Sequence, residues 1–166
     1  VSESINDEIA SSINQLAKTL IQQNKTVAVA ESCTGGWLSK VLTDLPGSSH
    51  WFLGGVVSYS NEAKQHFLNV NKGDIDQYGA VSQSVAEQMV KGVEAGFKSS
   101  ISLSVTGVAG PSGGTVDKPV GLVWFAVKAT DMPVSSVMKN FIGDREQVRQ
   151  KAVLTALTLL IDQLTT

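Results

Sequence analysis

The sequence holds little of what builds metal cages and covalent staples: one cysteine, Cys33, and two histidines, His50 and His66, in 166 residues. A single thiol cannot close an internal disulfide, and a structural zinc site usually takes four nitrogen or sulfur ligands, so neither framework is expected. Long apolar runs are also missing. No stretch reaches the roughly 18 residues that read as a membrane span. The N-terminus, VSESINDEIASS, lacks the basic-then-apolar pattern of a secretory leader. Nor is there an excess of positive charge: 13 Lys and Arg against 15 Asp and Glu leave a formal charge of -2, with the basic residues scattered. A broad nucleic-acid surface is therefore not expected. Together these absences lead us to expect a soluble, cytoplasmic protein with neither membrane nor nucleic acid as a partner.

What remains is 42% hydrophobic and 17% charged, enough core for one globular domain over residues 1–166 and no more. Ile5, Ile9, Ile13, Leu16, Ala17, Leu20 and Ile21 recur at steps of three and four, which predicts a helix over 5–22. Thr26 to Ala30 is a short β-branched run that suits a buried strand. A helix is expected over 36–43, closed by LPGSS, then a strand within 51–59 and a helix through SNEAKQHFL. In GAVSQSVAEQMVKGVEAGF, Ser84 stands three residues before Glu87, the spacing of a capping box, ahead of the apolar stripe Val85, Met89, Val90, Val93 and Phe97. Strands are expected at 101–107 and 122–129, with 134–142 as a hairpin partner. Asp144 is the expected N-cap of a last, Leu- and Ala-rich helix. This order predicts a single-domain, three-layer α/β sandwich with a mixed sheet.

Ser32, Tyr59 and Thr106 all fall just past expected strand ends, where open α/β sheets place their ligand crevice. The stretch AESCTGG at 30–36 turns from strand to helix, and a helix start offers free N–H groups that can hold an anion. Ser32 there suits a nucleophile, and Ser32 or Thr34 equally suits a helix cap. Cys33 competes, since a thiol at a helix start is more reactive than a hydroxyl. Adjacent residues at a strand end point opposite ways, so one cleft is not expected to receive both.

A nucleophilic serine needs a base. Neither histidine has a convincing setting, which leaves Lys64, whose neutral form burial or a positive neighbour would favour; a solvated surface lysine is the alternative. Tyr59 could hydrogen-bond Ser32 or Lys64, or simply pack. Residues 105–114, VTGVAGPSGG, form a glycine-rich loop whose amides can approach a ligand, although the endings that mark a P-loop or a dinucleotide fingerprint are missing.

The blocks AESCTGG (30–36), LPGSSHWFLGGVVSYSNEAK (45–64), GAVS (79–82), TGVAGPSGG (106–114), KPVGLVWFA (118–126) and GDR (143–145) follow one another in this order, and the sequence resembles the CinA C-terminal domain family. The likeness is strongest to its stand-alone nicotinamide mononucleotide amidohydrolases. That resemblance implies hydrolysis of a carboxamide to the acid and ammonia, in pyridine nucleotide salvage, with Ser32 as nucleophile, Lys64 as base and Tyr59 assisting. It also implies that Thr106, Gly107, Ala109 and Gly110 contact substrate, and in the mechanism we expect, amides near Cys33, Thr34, Gly35 and Gly36 bind the oxyanion. Arg145 suits the 5′-phosphate, because arginine offers a bidentate fork. No metal and no organic cofactor are implied, and members are homo-oligomers, with a dimer favoured. Two rivals stand beside this reading: a domain that only binds a pyridine nucleotide or regulates a partner, and a cysteine hydrolase using Cys33.

Overall fold

The structure, a computed structural model, describes residues 4–166. Five strands form one sheet: β1 (Val27–Glu31), β2 (Phe52–Val57), β3 (Ile101–Gly107), β4 (Leu122–Ala129) and β5 (Ser135–Asn140). Their order across the sheet is β2-β1-β3-β4-β5. β1 is parallel to both β2 and β3, whereas β4 runs antiparallel to β3 and to β5. The mixed sheet follows from the connections. Helical crossovers join the first three strands in parallel, and the direct passages from β3 to β4 to β5 leave room only for antiparallel return.

Helices α1 (Ile5–Gln22), α2 (Trp37–Thr43) and α6 (Arg145–Thr165) cover one face; α3 (Asn61–Leu68), α4 (Lys72–Tyr78) and α5 (Gln83–Phe97) lie on the other. Alternation along β1 divides the core accordingly. Val27 and Val29 join Leu16, Leu20, Leu103, Phe125, Val153 and Leu157, while Ala28 and Ala30 face Leu68, Val85, Met89 and Val93. Each fully buried Val, Leu or Met contributes about 1.5–3 kcal/mol relative to exposure, so a one-residue slip of β1 would be costly. Gly92 lets α3 sit close on α5, since a Cβ there would fall 2.1 Å from the Leu68 carbonyl oxygen.

The expected helix at 5–22 and the strand at 101–107 are found at those bounds, and Asp144 caps α6 by accepting from the Gln147 amide. Two expectations need correction. α5 is capped by Ser82, whose hydroxyl accepts from Val85 N–H, and the Ser84/Glu87 box does not form. Ser84 instead accepts from Gln88, and Glu87 accepts from Ser136 on β5. α4 was not foreseen: seven residues with a single buried apolar side chain, Ile75, carry no readable period. Among the described residues, no helix is long and apolar enough to cross a membrane.

Candidate active site

β1 and β3 are neighbours, and the Ser32 amide extends their pairing by donating to Val105 O. Beyond Ser32 the chain makes two overlapping turns, Gly35 N–H to Ser32 O and Trp37 N–H to Thr34 O. Gly35 and Gly36 have φ of 58° and 97°, the left-handed region that glycine enters without a Cβ penalty. That reversal lets α2 begin at Trp37, soon after β1 ends at Glu31, and leaves the Ser32 side chain at the sheet's C-terminal rim.

The amides that open α2 are not free, contrary to expectation. Glu31, wholly buried, accepts from Thr34 Oγ1, Gly36 N and Leu38 N on Oε1 and from Ser39 N and Oγ on Oε2, at 2.6–3.2 Å. A buried carboxylate is tolerated only when its lone pairs are filled, and here the helix start supplies both donors and positive potential. Glu31 was missed. Its place at the last position of a buried strand, one residue before the serine, was the available signal.

Lys64 comes from α3, whose N-cap Ser60 accepts from Ala63 N–H. Only 1% of Lys64 is exposed. Its Nζ lies 2.9 Å from Ser32 Oγ, 2.8 Å from Ser58 O and 3.2 Å from Tyr59 O, and among the described residues it forms no ion pair. Burial lowers its pKa from 10.5 to about 8. The two carbonyls can accept both protons of a neutral amine, which leaves the nitrogen lone pair toward Ser32.

The Tyr59 hydroxyl is bound to neither Ser32 nor Lys64. The residue is 59% exposed, its hydroxyl accepts from Arg145 Nη2 at 3.0 Å, and its backbone oxygen meets the lysine. Arg145 also donates to Gly110 O at 2.7 Å. Thr106 is buried and donates its hydroxyl proton to Ala80 O. Cys33 is 5% exposed and packs in the core beneath α6, with its thiol pushed up to about 12 mainly by burial. At neutral pH it is a protonated thiol.

A cleft of about 210 Å³ gathers Ser32, Cys33, Tyr59, Lys64, Thr106, Gly107, Ala109 and Arg145, with Asn61, Ala80 and Val81 completing it; contrary to expectation, Ser32 and Cys33 both line it. Thr34, Gly35 and Gly36 do not line it, because they form the back of the turn; Gly110 takes part through its carbonyl alone. Asn61 and the Ala80–Val81 pair were missed, although both sit inside quoted blocks. His50 bonds Gly47 O and His66 packs edge-on against Phe67, away from the cleft. A larger hollow of about 660 Å³ lies between α4 and α5. Its Ser82 and Ser84 are engaged with Val85 N–H, Gly79 O and Gln88, so it lacks a paired nucleophile. Among the described residues, no three His, Cys, Asp or Glu side chains converge as metal ligands would.

Residues 9–164 match the family model for the CinA C-terminal domain. The chain belongs to that family. This CinA domain is 43% identical over 149 residues to the nicotinamide-nucleotide amidohydrolase PncC of Escherichia coli K12, a match covering 90% of each chain. It is 49% identical over 148 residues to a CinA-like protein of Syntrophomonas wolfei, of which it spans 35% of the length. Its fold is similar to that of the competence/damage inducible protein CihA from Agrobacterium tumefaciens, with a TM-score of 0.92, 36% identity and 96% coverage of both chains. A CinA superfamily protein from Escherichia coli superposes with a TM-score of 0.91 at 32% identity, over 98% of this chain and 94% of that one.

Proposed function

We propose that this CinA domain hydrolyses the carboxamide of nicotinamide mononucleotide to nicotinic acid mononucleotide and ammonia, by attack of Ser32 with Lys64 as general base. The observation that carries this reading is the 2.9 Å contact between a buried, carboxylate-free Lys64 and Ser32 Oγ. The likeness to an amidohydrolase across nine-tenths of both chains supplies the substrate class.

In the first step the Ser32 Oγ–carbon bond forms as the hydroxyl proton moves to Lys64 Nζ. The carbonyl oxygen becomes an oxyanion. Gly36, Leu38 and Ser39 N–H serve Glu31, and Gly35 N–H serves Ser32 O; of the turn amides, that of Cys33, which lines the cleft beside Ser32, is the one left to receive it. Collapse breaks the carbon–nitrogen bond, and Lys64 returns the proton to the departing ammonia. Water then attacks the Ser32 ester with its proton taken by the same amine, and the acid leaves as Ser32 regains its proton.

The cleft is smaller than the roughly 300–1,000 Å³ that encloses a drug-sized ligand. It accepts the pyridine carboxamide and leaves the sugar phosphate at the rim. Arg145 stands at that rim with two of its five N–H groups engaged, and we assign it the 5′-phosphate. Tyr59 holds Lys64 through its carbonyl and Arg145 through its hydroxyl.

Incubation of purified protein with nicotinamide mononucleotide should release ammonia and the acid in equal amounts, and Ser32→Ala should reduce this to background. Unchanged turnover in Ser32→Ala would refute the assignment. Saturable binding without ammonia release would establish the non-catalytic alternative.

A further inference from the structure

Inside the cleft one hydroxyl has its proton committed and its oxygen free. Along β1 and β3 the register sets Ala30 beside Ser104 and Glu31 beside Val105, and the Ser32 amide carries it one residue further by donating to Val105 O. Ser32 therefore lies beside Thr106, about one strand spacing, roughly 5 Å, away. Both side chains rise from the same face of the sheet. Ala30 packs in the α5 layer and Ser104 Oγ donates to Ala86 O on that helix. Two residues further along each strand, Ser32 meets Lys64 of α3, and Thr106 meets Ala80 just ahead of α5.

Thr106 Oγ1 donates to Ala80 O at 3.0 Å, and because a carbonyl can only accept, the direction of that bond is fixed. A threonine hydroxyl has one proton and two lone pairs. The proton is spent, and among the described residues no N–H or O–H donates to Oγ1 in return. Thr106 and Ala80 both line the cleft, together with Ser32 and Lys64. The oxygen between them is thus an acceptor and nothing else, held on the cleft wall next to the attacking Ser32.

A carboxamide and its hydrolysis product differ at one atom. The amide nitrogen carries two N–H donors; the carboxylate oxygen that replaces it carries none. Facing an oxygen that only accepts, the amide gains a hydrogen bond and the carboxylate sets lone pair against lone pair. A polar group that matches only one of two ligands of nearly equal shape discriminates strongly, because the mismatch leaves buried atoms unpaired.

We propose that Thr106 tells amide from acid: its hydroxyl, anchored on Ala80 O, accepts an N–H of the substrate carboxamide beside Ser32 and offers nothing to the carboxylate left after hydrolysis. The inference rests on the hydrolase reading and deepens it, turning Thr106 from a substrate contact into the determinant of amide selectivity and of product release.

The test measures binding, with turnover removed by Ser32→Ala. Calorimetry on that protein compares nicotinamide mononucleotide with its methyl-ketone analogue, in which a methyl group replaces the amide nitrogen, so that size and charge are kept and the N–H donors are lost. The amide should bind about 10-fold tighter than the ketone. Adding Thr106→Val keeps a β-branched side chain of the same shape and removes the oxygen. The preference should then shrink to within about 2-fold, while Thr106→Ser should retain it. Nicotinic acid mononucleotide, measured at the same pH, should gain about 3- to 10-fold on the amide in Thr106→Val, since Lys64 and Arg145 are common to both proteins. A purely structural role would weaken all three ligands alike; unchanged ratios in a folded Thr106→Val protein therefore overturn the proposal, as does equal binding of amide and ketone to the Ser32→Ala protein. Thermal unfolding checks each variant, and if Thr106→Val fails to fold, the comparison of amide with ketone in the Ser32→Ala protein decides alone. A wild type that binds nicotinamide mononucleotide and releases no ammonia refutes the hydrolase reading and leaves this comparison standing. Absence of binding refutes both.

Discussion

Lys64 should make the protein's stability depend on pH in a way that a single substitution removes. Its folded pKa is about 8 against an ordinary value of 10.5. The difference, 10.5 − 8 = 2.5 units, corresponds at about 1.4 kcal/mol per unit to roughly 3 kcal/mol. The sign follows from proton counting. Between pH 8 and 10.5 the unfolded chain binds more protons at this site than the folded one, so stability rises with pH across that window, and below pH 8 the full penalty of a buried ammonium is present. Lys64→Met keeps the stem and removes the charge, but it also takes a donor from Ser58 O and Tyr59 O, an offset of about 1–3 kcal/mol per carbonyl that does not vary with pH. The difference between the two proteins is therefore the quantity to follow. Urea unfolding of both at pH 7 and 9.5 should show the wild type gaining about 2 kcal/mol on the variant over that interval, with other titrations cancelling. Parallel stability curves would refute the buried ammonium, and with it the reason for Lys64 to act as a base.

The same shift predicts that kcat/KM for amide hydrolysis rises as pH increases through about 8 and then levels, because the neutral amine is the working form; a flat or falling profile from pH 7 to 9 contradicts it. Cys33→Ala should keep kcat within about 3-fold and cost roughly 1–2 kcal/mol of stability from the small cavity, and iodoacetamide should modify the wild-type thiol slowly at pH 7; rapid, inactivating alkylation would revive the cysteine route. Glu31→Gln places an amide NH2 among N–H and O–H donors, so it should lower stability by about 2–4 kcal/mol, seen as a lower urea midpoint with unchanged slope. A loss under about 0.5 kcal/mol would mean that the carboxylate does not anchor α2.

The alternation of Val27 to Ala30 and the helical spacing from Ile5 to Ile21 made the layers legible, because burial on one face leaves a period that local sequence carries. Asp144 was legible too, since a cap acts over three residues. Ser82 and α4 were not: two serines near one helix start are equally competent caps, and seven residues with one buried side chain have no period. At the cleft, the family resemblance of the blocks pointed to Ser32, Lys64, Thr106 and Arg145 as site residues, and the structure brings all four to one cleft.

Sequence alone determined the five strands, the longer helices and the residue types gathered where strands end, because these depend on contacts within a few positions, and the connections between the strands then pointed to a mixed sheet. Only the tertiary structure decided which groups are free. It filled the amides of α2 with Glu31, sank Cys33 into the core, turned the Tyr59 hydroxyl to Arg145 and set Arg149 behind the Ser32 turn. Such choices depend on which donors and acceptors meet across more than a hundred residues of chain, as Arg149 and Cys33 do, and a linear pattern carries no record of that satisfaction.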